Sequence, residues 1–524
     1  MQQDKYVANF VQAIFNGVGD ALVGETLVLG GDGRFYNDVV VQSILAMAGA
    51  NGVGKVVVGT NGILSTPAVS ALIRDLGAAG GIILTASHNP GGPDGDLGIK
   101  YNIANGGPAP DAVTNAIYQA TTELTSLKTA DDFPTLDLAA PCVYTFEDSD
   151  FVVEVVDSVE NYVANMKAIF DFESLASLLS SGSFSMVFDA MHGVTGPYAH
   201  AIFEDELGAP AGSVINGTPK PDFGGGHPDP NLTYAHDLVE LMYSGNYDFG
   251  AASDGDGDRN MILGNKFFVN PSDSVALIAA HASSAIPYFA QNPLTGFARS
   301  MPTSQAIDKV AQGLGLKVYE TPTGWKYFGS LMDAGLISIC GEESFGQSSV
   351  HIREKDGIWA VLAWLSILAA NPGVSVSDLC TRHWWKYGRN FFTRYDYEEV
   401  DSDGARALMD RLVRKFGDWS GRKFEGGFRL AHADEFAYTD PVNGASASHQ
   451  GIRFLFEDGS RIIFRLSGTG SSGATIRLYI EKYEANPVRA QAAASDVLAP
   501  LVALALDMSR MSEYTGRDAP TVIT

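Results

Sequence analysis

Short apolar runs alternate with amphipathic stretches along this chain, and the clearest of those runs each end in a loop of Gly, Ser and acidic residues. That alternation restricts the fold to α/β layers, in which strands bury their side chains beneath helices. Val56-Val57-Val58 is a β-branched run, and Thr66 to Leu76 predicts a helix with Pro67 in its first turn. Gly81 to Leu84 predicts a second strand and Ser185 to Phe188 a third, ending at Asp189. Leu336 to Cys340 and Arg461 to Leu466 predict two more. Open α/β sheets bind ligands at the carboxyl ends of their strands, so the loops after these runs are where chemistry is expected.

The charge balance narrows the partners. The 524 residues carry 61 Asp+Glu against 35 Lys+Arg, a formal charge of −26. A phosphate backbone or an anionic membrane would be repelled, so no nucleic-acid and no membrane partner is expected. A small phosphorylated substrate stays compatible, because a pocket can be basic inside an acidic protein. At roughly 150 residues per domain the length suits three or four domains. Three cysteines (Cys142, Cys340 and Cys380) make no disulfide framework, and no Cys-x-x-Cys pair offers a zinc site. A reducing, cytoplasmic compartment is expected, as the start lacks the features of a signal peptide. The longest apolar stretch, Ile358 to Ala370, is too short to span a bilayer and reads as a buried helix. Acidic stretches at Glu147 to Asp150 and Asp401 to Gly404 read as linkers, and Val488 to Met511 as a terminal helix.

Four loops offer chemistry. Thr85-Ala86-Ser87-His88-Asn89-Pro90-Gly91-Gly92 follows a strand and presents a serine beside a histidine; a tight turn with a capping serine is the plain alternative. It lacks the Gly two residues before the serine that a hydrolase elbow requires. Asp254-Gly255-Asp256-Gly257-Asp258-Arg259 sets three carboxylates at alternate positions. Their repulsion is costly unless a cation sits between them, and oxygen-only ligands suit Mg²⁺, Mn²⁺ or Ca²⁺. An EF-hand needs Gly at its sixth position and Glu at its twelfth; Arg259 and Asn265 stand there, so a phosphate-linked Mg²⁺ site is expected.

Gly341-Glu342-Glu343-Ser344-Phe345-Gly346 sets a carboxylate and a hydroxyl near each other, able to hold neighbouring sugar hydroxyls. The nearby His351 to Gly357 adds three basic residues at a helix start, which a solvated, capped helix also explains. Arg465-Leu466-Ser467-Gly468-Thr469-Gly470-Ser471-Ser472-Gly473 combines hydroxyls and glycine amides into an anion nest, with Arg477 following, or forms a plain Gly-Ser hairpin. No Walker motif occurs. The shared theme is phosphoryl transfer, which needs positioning and cations.

These loops, in this order, resemble the α-D-phosphohexomutase superfamily, close to its glucose-specific phosphoglucomutase branch. Gly30-Gly31-Asp32-Gly33-Arg34, Asn61 to Pro67, Thr321 to Lys326 and the end Pro520 to Thr524 share the likeness. The resemblance implies four α/β domains around a central cleft, the last of them α+β. Residues 1–158 would carry the phosphoserine, 159–270 the metal, 271–387 the sugar site and 388–524 the phosphate site.

In that reading Ser87 is the phosphoserine, and Asp254, Asp256 and Asp258 hold Mg²⁺ together with an oxygen of the Ser87 phosphate. Glu342 and Ser344 bind sugar hydroxyls, with Thr323, Gly324 and Lys355 beside them. Arg465, Ser467, Thr469 and Arg477 hold the distal phosphate. Arg259 steadies the phosphoserine, and Lys100, His88 and Lys355 are the candidates for the base, in that order. A lysine in that role needs a lowered pKa. The implied reaction interconverts glucose 1-phosphate and glucose 6-phosphate through glucose 1,6-bisphosphate, which also serves as activator. The partners implied are small sugar phosphates, with a monomer or weak homodimer. Family members usually begin with a Gly-Thr-Ser-Gly-Leu-Arg segment that this chain lacks, so one strand of the first sheet is expected to be missing. The alternatives are a scaffold-type relative with weak catalysis, a glucose 1,6-bisphosphate synthase, and a passive metal-binding module.

Overall fold

The chain, seen here as a computed structural model that describes residues 5–130, 132–147, 149–467 and 473–524, builds four successive sheet-centred units. The first sheet has six strands in the spatial order Ile99–Ile103, Gly80–Leu84, Thr26–Gly31, Lys55–Ile63, Ser149–Val156 and Cys142–Phe146. Its inner pairings are parallel and its two edges antiparallel. Leu27 to Leu29, Val56 to Val58 and Ile82 to Leu84 are wholly buried. Helices cover both faces of such a sheet, so a continuous apolar run, not an alternating one, is what its strands need. The helix Thr66–Leu76 starts as the sequence predicts: Ser65 caps it through the Ala68 N–H at 3.2 Å, Pro67 lies in its first turn, and Gly77 ends it in the left-handed region.

The second sheet runs Phe267–Val269, Met261–Gly264, Phe249–Ala252, Met186–Asp189 and Val214–Ile215. The third runs Lys317–Thr321, Gly296–Ser300, Ile339–Gly341 and Gln347–Ser349. The fourth is antiparallel throughout its six strands and is covered by the helices Ser402–Arg414 and Ala494–Ser509. Ile452, Phe454 and Phe456 point into that cover while Arg453 and Leu455 between them stay half-buried, the alternation of a one-sided sheet. The last unit is therefore α+β, as expected.

One continuous core serves the first three units. It joins Val69 and Leu72 to Met186 and Phe188 and to the helix Gly357–Ala369, whose Trp359 and Trp364 are fully buried. The fourth unit has its own core and meets the third through ion pairs and through a small apolar cluster of Met301 with Phe392, Phe436, Ile463 and Tyr479. Arg453 spans from Asp434 to Glu320 at 2.8 Å, and Arg461 donates to the carbonyls of Met301 and Thr303.

Several expectations are corrected. Glu147 to Asp150 is no linker: Cys142–Phe146 and Ser149–Val156 pair antiparallel across it. Asp401 to Gly404 is a helix start, with the Asp401 carboxylate accepting the Gly404 N–H. The strand read at Leu336 to Cys340 is only Ile339–Gly341, because Leu336 still closes the preceding helix by donating to Leu331. The terminal helix is Ala494–Ser509 and stops at Arg510, whose φ of 53° breaks it from Met511–Thr515. Among the described residues no helix is long and apolar enough to cross a membrane.

Candidate functional site

The serine loop leaves the first sheet at Leu84. Ser87 takes φ 53°, in the left-handed region that a non-glycine residue enters only when its surroundings hold it there. Its N–H donates to Thr85 Oγ1 at 2.8 Å and its carbonyl accepts from Arg34 at 2.8 Å. The Ser87 hydroxyl donates to Asp254 Oδ2 at 3.1 Å, and His88 Nδ1 lies 3.4 Å from Ser87 Oγ. Burial, then the charge of Arg259, holds the His88 pKa well below the usual histidine range, so its imidazole is neutral.

The acidic loop follows the strand Phe249–Ala252, and Asp254, Asp256 and Asp258 are all fully buried. One oxygen of each lies within 4.8 Å of the others. Asp254 Oδ1 accepts the N–H groups of Asp258 and Arg259 at 2.9 and 3.0 Å, which curls the loop around its own first carboxylate. Asp256 Oδ2 accepts from Thr66 at 2.7 Å and from Lys100 at 2.9 Å, and Lys355 lies 2.8 Å from Asp258. Arg259 bonds Asp229 at 3.2 Å and stands 3.7 Å from Asp254. Burial, followed by the charges of Asp258 and Asp256, pushes the Asp254 pKa well up. Asp256 is held low although burial opposes it, because Lys100 and Lys355 face it. Asp256 Oδ1 is buried and has no hydrogen-bond partner. An orphaned oxygen amid three converging carboxylates, with no nitrogen or sulfur donor, fits a hard divalent cation. Behind the loop, Gly357 donates to the Gly257 carbonyl at 3.1 Å, and a Cβ on Gly357 would sit 2.3 Å from the Arg259 carbonyl oxygen.

The third loop is the turn between the hairpin strands Ile339–Gly341 and Gln347–Ser349. Phe345, at φ 67°, inserts into the apolar cluster of the second unit with Met191, Leu238 and Met261. Its carbonyl accepts the Asn260 N–H at 2.9 Å, so the third loop is fastened to the acidic loop. Glu342 is buried, accepts the Gly324 N–H at 3.2 Å, and has its pKa raised by burial against the opposing charge of Lys355. Thr323 Oγ1 is buried without a partner.

A cavity of about 470 Å³ opens where all four units meet. Its wall includes His88 from the first unit, Arg259 from the second, Ser344 from the third and Arg477 from the fourth. Arg394, Arg517 and His227 add to its basic side, and Asp96, Asp229, Asp396, Glu398 and Glu399 add carboxylates. Ser87 and the three carboxylates lie behind that wall, linked to it through His88 and Arg259. Arg465 bonds Tyr479 at 3.3 Å, and Ser467 ends the strand Arg461–Ser467 opposite Thr475. Thr469 lies outside the described residues.

Ser87, His88, Lys100, Arg259, Lys355 and the three aspartates thus form one connected cluster, while Ser344 and Arg477 face the cavity. Two expectations change. The Lys100 pKa is raised, not lowered: burial pulls it down, but Asp256, Asp258 and Glu354 outweigh that. The segment from His351 is no solvated helix start. Arg353, Glu354 and Asp356 are buried, His351 bonds Asp356 at 2.9 Å and Arg353 bonds Asp333 at 2.7 Å, so the three basic groups serve three different carboxylates. The sequence motifs that hold Asp32, Arg34 and Thr66 carry the family likeness but assign these residues no role, and Asp229 and Arg394 stand in no motif read above. The run Gly224-Gly225-Gly226-His227-Pro228-Asp229-Pro230 was a usable signal, since glycines beside prolines mark a shaped loop.

Known proteins match this arrangement end to end. Residues 1–128, 160–266 and 270–387 match the family descriptions "Phosphoglucomutase/phosphomannomutase, alpha/beta/alpha" domains I, II and III, and residues 389–521 match "Phosphoglucomutase-1, C-terminal domain". The chain is 56% identical to the cytoplasmic phosphoglucomutase of Pisum sativum over 551 residues, covering 100% of this chain and 94% of that one. It is also 56% identical to a chloroplastic phosphoglucomutase of Arabidopsis thaliana, covering 100% of this chain and 85% of that one. The crystal structure of the Paramecium exocytosis-sensitive phosphoprotein parafusin, described as a phosphoglucomutase in an open form, superposes with a TM-score of 0.90. It is 50% identical, covering 100% of this chain and 94% of that one.

Proposed function

The chain belongs to the phosphoglucomutase/phosphomannomutase family and is an enzyme of the phosphoglucomutase kind, and we propose that it interconverts glucose 1-phosphate and glucose 6-phosphate through a phosphoserine at Ser87. The observation that carries this reading is the 3.1 Å contact between the Ser87 hydroxyl and Asp254, which joins a nucleophile to a buried carboxylate triad.

The charge balance of the cluster supports it. Three carboxylates face three cations, Lys100, Lys355 and Arg259. A phosphoserine dianion and a divalent cation together add no net charge to that set. Asp254, Asp256 and Asp258 would hold Mg²⁺, which when bound neutralises charge on the transferring phosphoryl oxygens.

The chain's own groups do the rest. In the first half-reaction the bond between phosphorus and Ser87 Oγ breaks as a bond to the free sugar hydroxyl forms, and the hydroxyl proton passes to a base. His88 is the neutral nitrogen nearest Ser87 Oγ and stands on the cavity wall, so it leads the candidates for that base. Glucose 1,6-bisphosphate then reorients, and its other phosphate returns to Ser87. Arg477, with Arg465 and Ser467, holds the phosphate that is not reacting, and Glu342 and Ser344 take the sugar hydroxyls. Glucose 1,6-bisphosphate acts as activator because it recharges a dephosphorylated Ser87. The relatives matched over the whole chain carry the mutase name, so the scaffold-type alternative is not favoured. A cytoplasmic location remains part of the proposal, relatives being named both cytoplasmic and chloroplastic.

The test is a coupled assay of purified protein with Mg²⁺, glucose 1-phosphate and trace glucose 1,6-bisphosphate, run beside Ser87→Ala. Conversion that vanishes in the variant, together with one phosphate on the parent by intact mass, is the expected result. Undiminished conversion in Ser87→Ala would refute the phosphoserine.

A further inference from the structure

Three side chains outside the reacting set, those of Thr85, Asp32 and Arg34, close a ring around the backbone of Ser87. Thr85 Oγ1 accepts the Ser87 N–H at 2.8 Å and donates its own proton to Asp32 Oδ2 at 2.6 Å. Arg34 holds that same Asp32 oxygen at 2.8 Å and donates from the same nitrogen to the Ser87 carbonyl at 2.8 Å. The ring therefore runs from the Ser87 amide through Thr85, Asp32 and Arg34 back to the Ser87 carbonyl. Arg34 is 1% exposed and Asp32 equally so, which leaves neither group a water alternative. The second guanidinium nitrogen reaches the carbonyls of Asp96 at 2.7 Å and Asn89 at 3.4 Å, gripping the loop beyond the serine as well. Phe223 of the second unit packs 5.1 Å from the guanidinium and closes the far side.

We propose that Asp32, Arg34 and Thr85 are positioning residues that hold Ser87 in its left-handed conformation and so aim its Oγ at the metal loop. This rests on the reading of Ser87 as the residue that carries the phosphoryl group. The physical need is plain: at φ 53° a serine would relax toward ordinary backbone angles unless both ends of its peptide are tied. Relaxation would swing Oγ away from Asp254, and phosphoryl transfer is sensitive to misplacement of about 1 Å. Arg34 suits this task where lysine does not, because its planar fork bonds a carboxylate and carbonyls in fixed directions at once. Thr85 suits it because one hydroxyl both accepts and donates.

The experiment compares Thr85→Val, Thr85→Ser, Arg34→Lys and Ser87→Ala in the full chain. The readouts are kcat and KM for glucose 1-phosphate, phosphoserine content by intact mass, and the ³¹P signal of the phosphoenzyme. Thr85→Val and Arg34→Lys are expected to lose about 10- to 100-fold in kcat, with KM within about twofold. Both should shift or broaden the phosphoserine resonance, and Thr85→Ser, which keeps the hydroxyl, should restore both readouts. A merely structural role would lower the melting temperature without separating kcat from KM. Parental kcat in Arg34→Lys overturns the clamp, as does equal loss in Thr85→Ser and a folded Thr85→Val. An active Ser87→Ala would instead overturn the phosphoserine reading itself, whatever the other variants do.

Discussion

The hydroxyl of Thr66 donates to Asp256 at 2.7 Å across 190 residues of sequence. Thr66 also sends its backbone N–H to the Asp256 carbonyl at 3.0 Å. Helix Thr66–Leu76 therefore points its N-terminus at the acidic loop, where its dipole favours negative charge, and fixes which oxygen of Asp256 stays free.

Thr66→Val should weaken divalent-cation binding by about 10-fold, because groups that orient a metal's ligands contribute at that scale. Titration calorimetry with Mg²⁺ alone reads it without recourse to activity. An unchanged dissociation constant would show that Asp256 keeps its orientation through Lys100.

Phe345→Ala should cost about 3–5 kcal/mol, the range for emptying a buried aromatic site. Phe345 is 2% exposed and ties the turn carrying Glu342 and Ser344 to the second unit. Urea unfolding measures the loss, and KM for glucose 1-phosphate should rise in the same variant, since the tether of the sugar-binding turn is gone.

Arg394→Met should destabilise the chain by about 3–5 kcal/mol, because it strands the buried Glu343 carboxylate and leaves buried Asp396 only Arg477, 3.6 Å away. Arg394 bonds Glu343 of the third unit at 2.8 Å and lies 3.0 Å from Asp396 of its own strand. Adding Glu343→Gln and Asp396→Asn to Arg394→Met should recover much of that loss, which a comparison of denaturation midpoints would detect.

His383 sets part of the acid sensitivity. Burial, with the nearby charges of His281 and Lys386, pushes its pKa down to about 3 from the usual 6.5. The unfolded chain thus takes up a proton near pH 6.5 that the folded chain refuses. Stability from this group is full above pH 6.5 and is lost as pH falls toward 3. At about 1.4 kcal/mol per pH unit, the loss between pH 6.5 and 5 is about 2 kcal/mol. His383→Leu should flatten the change in denaturation midpoint over that interval.

Much of this was legible in the residues themselves. The strand-ending runs, the helix after Ser65, the alternate aspartates and the serine before His88 are local patterns, set by side-chain spacing along a few residues. The acidic stretches at Glu147 and Asp401 read as linkers but form a hairpin and a helix start, because composition does not separate a linker from a turn or a helix cap.

The sequence by itself determined the layered α/β fold, the four loops and the kind of chemistry each can do. Only the tertiary structure decided which groups face one another. Arg34 reaches Ser87, Thr66 and Lys100 reach Asp256, and Lys355 reaches Asp258, through contacts spanning at least 53 residues of chain. Such pairings depend on how sheets and helices pack. So do the charge states they create: Lys100 is driven up, and His88 kept neutral, by burial and neighbours that no local stretch of sequence contains.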